Sequence, residues 1–342
     1  MSKRFKLLAV LLALVMFAAA CGDDSSDDNA GDSGDSGDSG DSGDSGDESV
    51  DQTQGGDLTF NMITHSDDGP FWSVVKRGME AACTDVGVTC IWNPGDNDPA
   101  TMVADIEAAI TAGTDGIAAS LPYPDALPGP LTQAVDAGIP VYTLNSGVDY
   151  YEEIGATSHV GQTEGIAGEG AGKRFNDLGA THVLCAFQEE GNVGLEERCA
   201  GLAETFEGEV SIEFGGMDED QTNQEATINA LLSADPSIDA ILGVGPVIAM
   251  SSLRASESVG RDAIIGGFDI TPEVIDAIEA GTISFTVDQQ QYLQGYLPIV
   301  LMYLEATNQN TAGGGLPILT GPGFVTPDNA ADVKALVEAG TR

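Results

Sequence analysis

From residue 58 onward, short apolar runs rich in strand formers alternate with longer stretches whose apolar positions recur at helical spacing. Residues 58–64 read as a strand, and 70–86 as a helix with Phe71, Val74, Val75 and Met79 along one side. Strands follow at 88–92, 116–120 and 141–144, separated by helices at 99–112 and around 131–137. A helix at 165–178 leads to a strand at 182–187, a helix at 194–206 and a strand at 210–213. The rest reads as a helix at 223–234, strands at 240–244 and 264–268, a helix at 272–280, a strand at 284–287 and a long helix at 292–306. Strand–helix–strand units of this length predict an α/β fold, with parallel sheets covered by helices on both faces. Ten or so strands are too many for one comfortable open sheet, so two doubly wound, Rossmann-like lobes are expected. Such sheets bind ligands beyond the carboxyl ends of their strands, which directs attention to the loops that follow strands.

The first 57 residues are patterned differently. Lys3, Arg4 and Lys6 precede an apolar run at 7–19, too short to remain in a bilayer as a spanning helix, and Ala18-Ala19-Ala20-Cys21 reads as a small-residue cleavage site. Residues 1–20 are therefore expected to be an export signal. A cysteine directly after that site resembles a bacterial lipobox, with Cys21 acylated as the new N-terminus; ordinary secretion is the alternative. Asp, Ser and Gly then dominate to Gly56, with GDS triplets repeating, so residues 21–57 are expected to be a disordered tether extended by its own charge.

Charge narrows the partners. Residues 58–342 hold 42 acidic and 9 basic side chains, so the acidity belongs to the folded part as well as the tether. No basic footprint exists to neutralise nucleic-acid phosphates, and docking of this body on an anionic membrane is disfavoured. Of the cysteines after Cys21, Cys83 and Cys90 flank a helix-to-strand turn, and Cys185 and Cys199 belong to a neighbouring strand and helix. An even count in an exported chain points to two local disulfides, with buried free thiols as the alternative. The pairs lie far apart in sequence and His65, His159 and His182 are isolated, so no metal site is expected. The run 167–174 lacks the first Gly and last Ser/Thr of a phosphate loop; its glycines read as letting a helix pack closely on a sheet. No G-x-S-x-G elbow is present, and the pairs Glu189-Glu190 and Glu196-Glu197 read as solvated faces. Neither a cofactor nor a catalytic set is expected.

What the post-strand loops do carry is polar and aromatic. The first strand runs into His65-Ser66-Asp67-Asp68-Gly69-Pro70-Phe71-Trp72, and later strands into Asn145-Ser146, Asp269 and Asp288-Gln289-Gln290-Gln291. Aromatic planes beside Asp, Asn, Gln and Arg suit a polyhydroxylated ligand: the ring takes the C–H face of a sugar, and planar polar groups take its hydroxyls. Taken singly, each of these residues serves equally well as a helix cap or a loop. Their shared place after strands is what singles them out.

On these residues the chain resembles the bacterial periplasmic binding proteins of the ribose/galactose type, the substrate receptors of ABC sugar importers. Gly69-Pro70-Phe71-Trp72 is similar to the family's Asn-Pro-Phe-Phe opening, and Ile139-Pro140-Val141 with Asn145-Ser146 to its Ile-Pro-Val…Asp-Arg/Ser segment. Arg198-Cys199-Ala200-Gly201 matches an Arg-x-x-Gly helix, Gly267-Phe268-Asp269 a Gly-Phe-Asp, and 286–289 a crossover ending in Gln. The resemblance spans residue 58 to about 304. It implies two lobes joined by three crossovers, 58–160 with 290–320 and 161–289 with 321–342, closing on a ligand in the cleft. It also implies Phe71 and Trp72 as stacking groups, with Asn145, Arg198, Asp269 and Gln289 as hydroxyl partners. Gly69 stands where the family has Asn, so His65 and Asp68 would take over its work. Ser146 stands where a ribose receptor has Arg, Gly245-Pro246 replaces a frequent Asn-Asp, and Glu164 would add a polar contact at the second-lobe entry. The protein so implied is an extracytoplasmic, lipid-anchored monomer without enzymatic activity. It would capture a neutral monosaccharide or sugar alcohol other than plain ribose and deliver it to a membrane ABC permease. Presenting the ligand to a chemoreceptor or signalling kinase is the alternative.

Overall fold

The same winding occurs twice. The computed structural model describes residues 56–66 and 69–342, so the expected export signal, most of the tether, Cys21 and Asp68 lie outside the described residues. In the first sheet β1 (Thr59–Thr64) lies between β2 (Thr89–Pro94) and β3 (Gly116–Ser120), and β4 (Val141–Leu144) and β5 (Ser158–Gly161) extend it. In the second, β6 (His182–Phe187) lies between β7 (Glu209–Phe214) and β8 (Ala240–Gly243), followed by β9 (Ile264–Phe268) and β10 (Phe285–Asp288). Each set runs 2-1-3-4-5 and is parallel throughout. The inner strands β3, β4 and β8 are buried at every residue, because helices cover both faces, and this is why they read as unbroken apolar runs.

The chain passes between sheets three times. It does so after β5, after β10, and between β11 (Ile318–Leu319), which pairs parallel to β5, and β12 (Gly323–Val325), which pairs antiparallel to β10. The three passages are stitched side by side. Thr320 N–H donates to Gly161 O at 2.7 Å, and Gln290 Nε2 donates to Thr320 O at 2.6 Å.

Helix contacts fix the lobes internally. α4 (Glu164–Leu178) and α5 (Val193–Thr205) cross so closely that a Cβ at Gly168 would overlap the Arg198 carbonyl, and one at Gly201 the Gly165 carbonyl. The first lobe repeats the device between α1 (Gly69–Val86) and α9 (Gln291–Asn308), where Gly78 meets Tyr292 and Gly295 meets Val75. Expected to seat a helix on a sheet, Gly168 and Gly172 instead seat helix against helix, and Gly170 meets the Phe324 ring. Both expected disulfides are present, Cys83–Cys90 tying α1 to β2 and Cys185–Cys199 tying β6 to α5. Among the described residues, no helix is long and apolar enough to cross a membrane.

Candidate functional site

The carboxyl ends of both sheets bound one cavity of about 210 Å³. The first lobe contributes His65 after β1 and Asn145 and Ser146 after β4, with Phe71 and Trp72 from the first turn of α1. From the second lobe come Gln188 and Glu189 after β6, Arg198 on α5, Asp218 after β7 and Asp269 after β9, with Gln289 at a crossover. A cavity below the ~300–1,000 Å³ of drug-sized pockets suits one small ligand. The lobes meet around it: Val193 N–H donates to Pro122 O at 3.1 Å, and Ser146 Oγ lies 3.2 Å from Asn192 Oδ1.

Arg198 is the centre of the second-lobe wall. Its Nε donates to Glu164 Oε2 at 2.6 Å, its Nη2 to Glu164 Oε1 at 3.0 Å and its Nη1 to Val244 O at 2.8 Å. The guanidinium lies over the Phe268 ring, 4.5 Å from its centroid, so its plane is fixed by a fork of acceptors and an aromatic face. Asp269 Oδ2 is 3.9 Å from Arg198 Nη1, and its Oδ1 accepts from Gln289 Nε2 at 2.7 Å. Burial pushes the Asp269 carboxyl up to about 7, against the downward pull of Arg198 and Gln289. Asp269 and Asn145 hold equivalent places, each just beyond the fourth strand of its 2-1-3-4-5 set, with φ of 67° and 62°. Asn and Asp enter the left-handed region more readily than other side chains, which explains why these two types end the strands here.

The first-lobe wall is aromatic with a neutral imidazole. Trp72 is buried, Phe71 is half-buried, and their rings meet edge to face at 5.0 Å. His65 packs edge-on to Trp72 at 4.7 Å. Ser120 Oγ accepts from the His65 backbone N–H at 2.9 Å and lies 2.9 Å from Nδ1. The imidazole Nε2 lies 3.5 Å from both Glu189 Oε2 and Asn192 Nδ2. Burial holds the His65 imidazole below its ordinary value, with Glu189 opposing.

Several residues stand elsewhere than the sequence suggests. Glu164 does not line the cavity; it is fully buried behind Arg198, where Gln162 Nε2 also donates to it at 2.8 Å. Glu189, expected on a solvated face, lines the cavity and accepts from Asn192 Nδ2 at 2.6 Å. Asn192 caps α5 by accepting from Gly194 N–H. Asp218 lies on a loop fastened from behind: fully buried Gln224 donates to Gly216 O at 2.9 Å and to Asp218 Oδ1 at 3.0 Å. Burial pushes the Asp218 carboxyl up to about 7, with that hydrogen bond opposing. Of the Gly245-Pro246 pair, Gly245 packs against Gln188 and Pro246 lines the cavity, with Val247 beside it. Asn192 and Gln188 follow a strand, and that position is the one signal that could have marked them.

Residues 60–310 match the family of periplasmic binding protein domains, and the chain belongs to that family. It is 29% identical over 285 residues to a xylose/arabinose-binding protein of Sulfolobus acidocaldarius, covering 78% of this chain and 70% of that protein. A ribose import binding protein of Haemophilus influenzae is 25% identical over 260 residues, covering 74% and 87%. The crystal structure of a carbohydrate transporter from Acidothermus cellulolyticus, solved with myo-inositol, superposes with a TM-score of 0.81 at 40% identity and covers 83% of this chain and 99% of that one.

Proposed function

We propose that this chain is the ligand-capturing component of an ABC importer for a small polyol, either a monosaccharide or a sugar alcohol, cyclitols included. The observation that carries the reading is the pairing of walls in one small cavity: Phe71 and Trp72 on one lobe, Arg198 and Asp269 on the other. An aromatic plane opposite fixed donors and acceptors grips both the C–H face and the hydroxyls of such a molecule. Likeness to a myo-inositol complex at 40% identity favours a ring polyol, and likeness to pentose-binding relatives keeps pentoses in the set. The role is capture and release, with the ligand recovered unchanged. Cys21, behind a small-residue site and ahead of an Asp/Ser/Gly tether, is the proposed acylated anchor outside the membrane.

Thermal unfolding against pentoses, hexoses, linear polyols and inositols tests the reading. A ligand at a hundred times its Kd adds about 2.7 kcal/mol to stability by mass action. At least one member should raise Tm accordingly, and a flat response across the panel would overturn the assignment. Mass spectrometry of the mature chain should find an acylated N-terminal Cys21; an unmodified N-terminus elsewhere rules out the anchor.

A further inference from the structure

We propose that the second-lobe wall of this cavity selects a polyol carrying an ammonium group, an amino sugar or aminocyclitol, and rejects polyols carrying a phosphate or carboxylate. The inference rests on the polyol reading above and narrows its ligand class.

Glu189, Asp218 and Glu219 line that wall, and Asp269 adds a fourth carboxylate. Among the described lining residues Arg198 is the only Lys or Arg, and both of its forked donors already face Glu164. His65 is held neutral by burial. The wall is also short of donors. Gln188 is buried and, among the described residues, its amide oxygen has no donor, while Asp218 accepts from Gln224 at one of its two oxygens. Closing two lobes over such a wall takes carboxyl groups out of water with Arg198, already engaged by Glu164, as the one cationic side chain described beside them, a costly arrangement unless the ligand supplies further positive charge. A hydroxyl brings one hydrogen and no charge. An ammonium brings three hydrogens and a full positive charge, and charge-assisted bonds are about twice as strong as neutral ones. The field of the whole chain acts in the same sense, since a net charge of -43 draws cations to the cleft and repels anions.

Calorimetry at pH 7 on three matched probes tests this: myo-inositol, an inositol with one hydroxyl replaced by an amine, and myo-inositol phosphate. A second set uses glucose, glucosamine and glucose phosphate. In at least one set the amine should bind roughly tenfold or more tighter than its hydroxyl parent, about 1.4 kcal/mol, and the phosphate should bind weakest. Asp218→Asn and, independently, Glu189→Gln should shrink the amine-to-hydroxyl ratio. An amine that binds no better than its parent overturns the proposal, as does a ratio unmoved in both variants. If parents bind and amines do not, only this inference fails. If nothing in either set binds, the polyol reading falls with it.

Discussion

Arg198 and Glu164 form a forked ion pair, with bonds of 2.6 and 3.0 Å, sealed in the α4–α5 contact where both side chains are buried. The two residues belong to different helices, and the glycine crossing at Gly168 brings those helices close enough for the fork to close. The pair sets the plane in which Arg198 meets the cavity, so Glu164 is a positioning residue that acts through Arg198.

Removing one partner leaves the other as an uncompensated buried charge, which typically costs about 3–5 kcal/mol of stability. Arg198→Ala should therefore destabilise the fold and abolish ligand binding together. Replacing both residues, Arg198→Met with Glu164→Leu, should recover much of the stability and none of the binding. Denaturant melts and calorimetry on the three proteins separate these effects; recovered binding in the double variant would remove Arg198 from the site.

Gly168 and Gly165 lie on the same helix one turn apart and should respond oppositely to alanine. A Cβ at Gly168 meets the Arg198 backbone, whereas one at Gly165 meets nothing within 4 Å. Gly168→Ala should cost about 1–3 kcal/mol by overpacking. Gly165→Ala should gain about 0.5–1 kcal/mol from reduced backbone freedom in the unfolded chain. Equal effects in urea melts would contradict the close crossing.

The disulfide Cys185–Cys199 spans 14 residues and links the strand that precedes Gln188 to the helix that bears Arg198. Opening a loop of this size is worth about 3 kcal/mol in the chain-entropy model. A Cys185→Ala, Cys199→Ala double variant should melt lower by that order, and a reducing agent should reproduce the shift in the parent. Unchanged melting in both would deny the bond a stabilising role.

Strands such as Gly116–Ser120 and Val141–Leu144 were legible because burial on both faces writes itself as continuous apolar sequence. Ser158–Gly161 was not: its Ser-His-Val-Gly run looks polar, yet every residue is buried, with His159 bonded to Thr143 Oγ1 at 2.9 Å. The helix Pro246–Ser258 was hidden by its serines, of which Ser251, Ser252 and Ser256 are buried, Ser252 Oγ donating to Ile248 O. In the site, Asn145 and Asp269 could be found from their places after strands, and the cavity contains both. Glu189 and Asp218 could not, since an acidic side chain reads as solvated unless the opposite wall is known. That wall includes His65, Phe71 and Trp72, more than a hundred positions away and beyond the reach of local pattern.

Acid carboxyls with raised pKa give this chain an unusual pH response. Burial pushes Asp218, Asp269 and Glu197 each up to about 7, and for Glu197 the neighbouring Glu164 and Asp149 add to the rise. In the unfolded chain such groups titrate near 4. Between those values the native state holds more protons than the unfolded state, so stability falls as pH rises. The contribution is complete below pH 4 and is lost as pH passes through 7. His65 and His159 act in the other direction, because burial lowers both, His159 to about 3. Their contribution is present above the ordinary imidazole value of about 6.5 and declines as pH falls. Three carboxyls against two imidazoles leave the first effect in control from pH 5.5 to 7.5. The ligand-free chain should thus melt higher at pH 5.5 than at 7.5, the reverse of a protein stabilised by ionised carboxylates. Asp218→Asn combined with Glu197→Gln removes two of the three proton sites and should flatten the slope. Scanning calorimetry of parent and double variant across this range decides the matter: a parent that melts lower at pH 5.5, or a variant with the same slope, would show that these carboxyls are ionised in the folded chain.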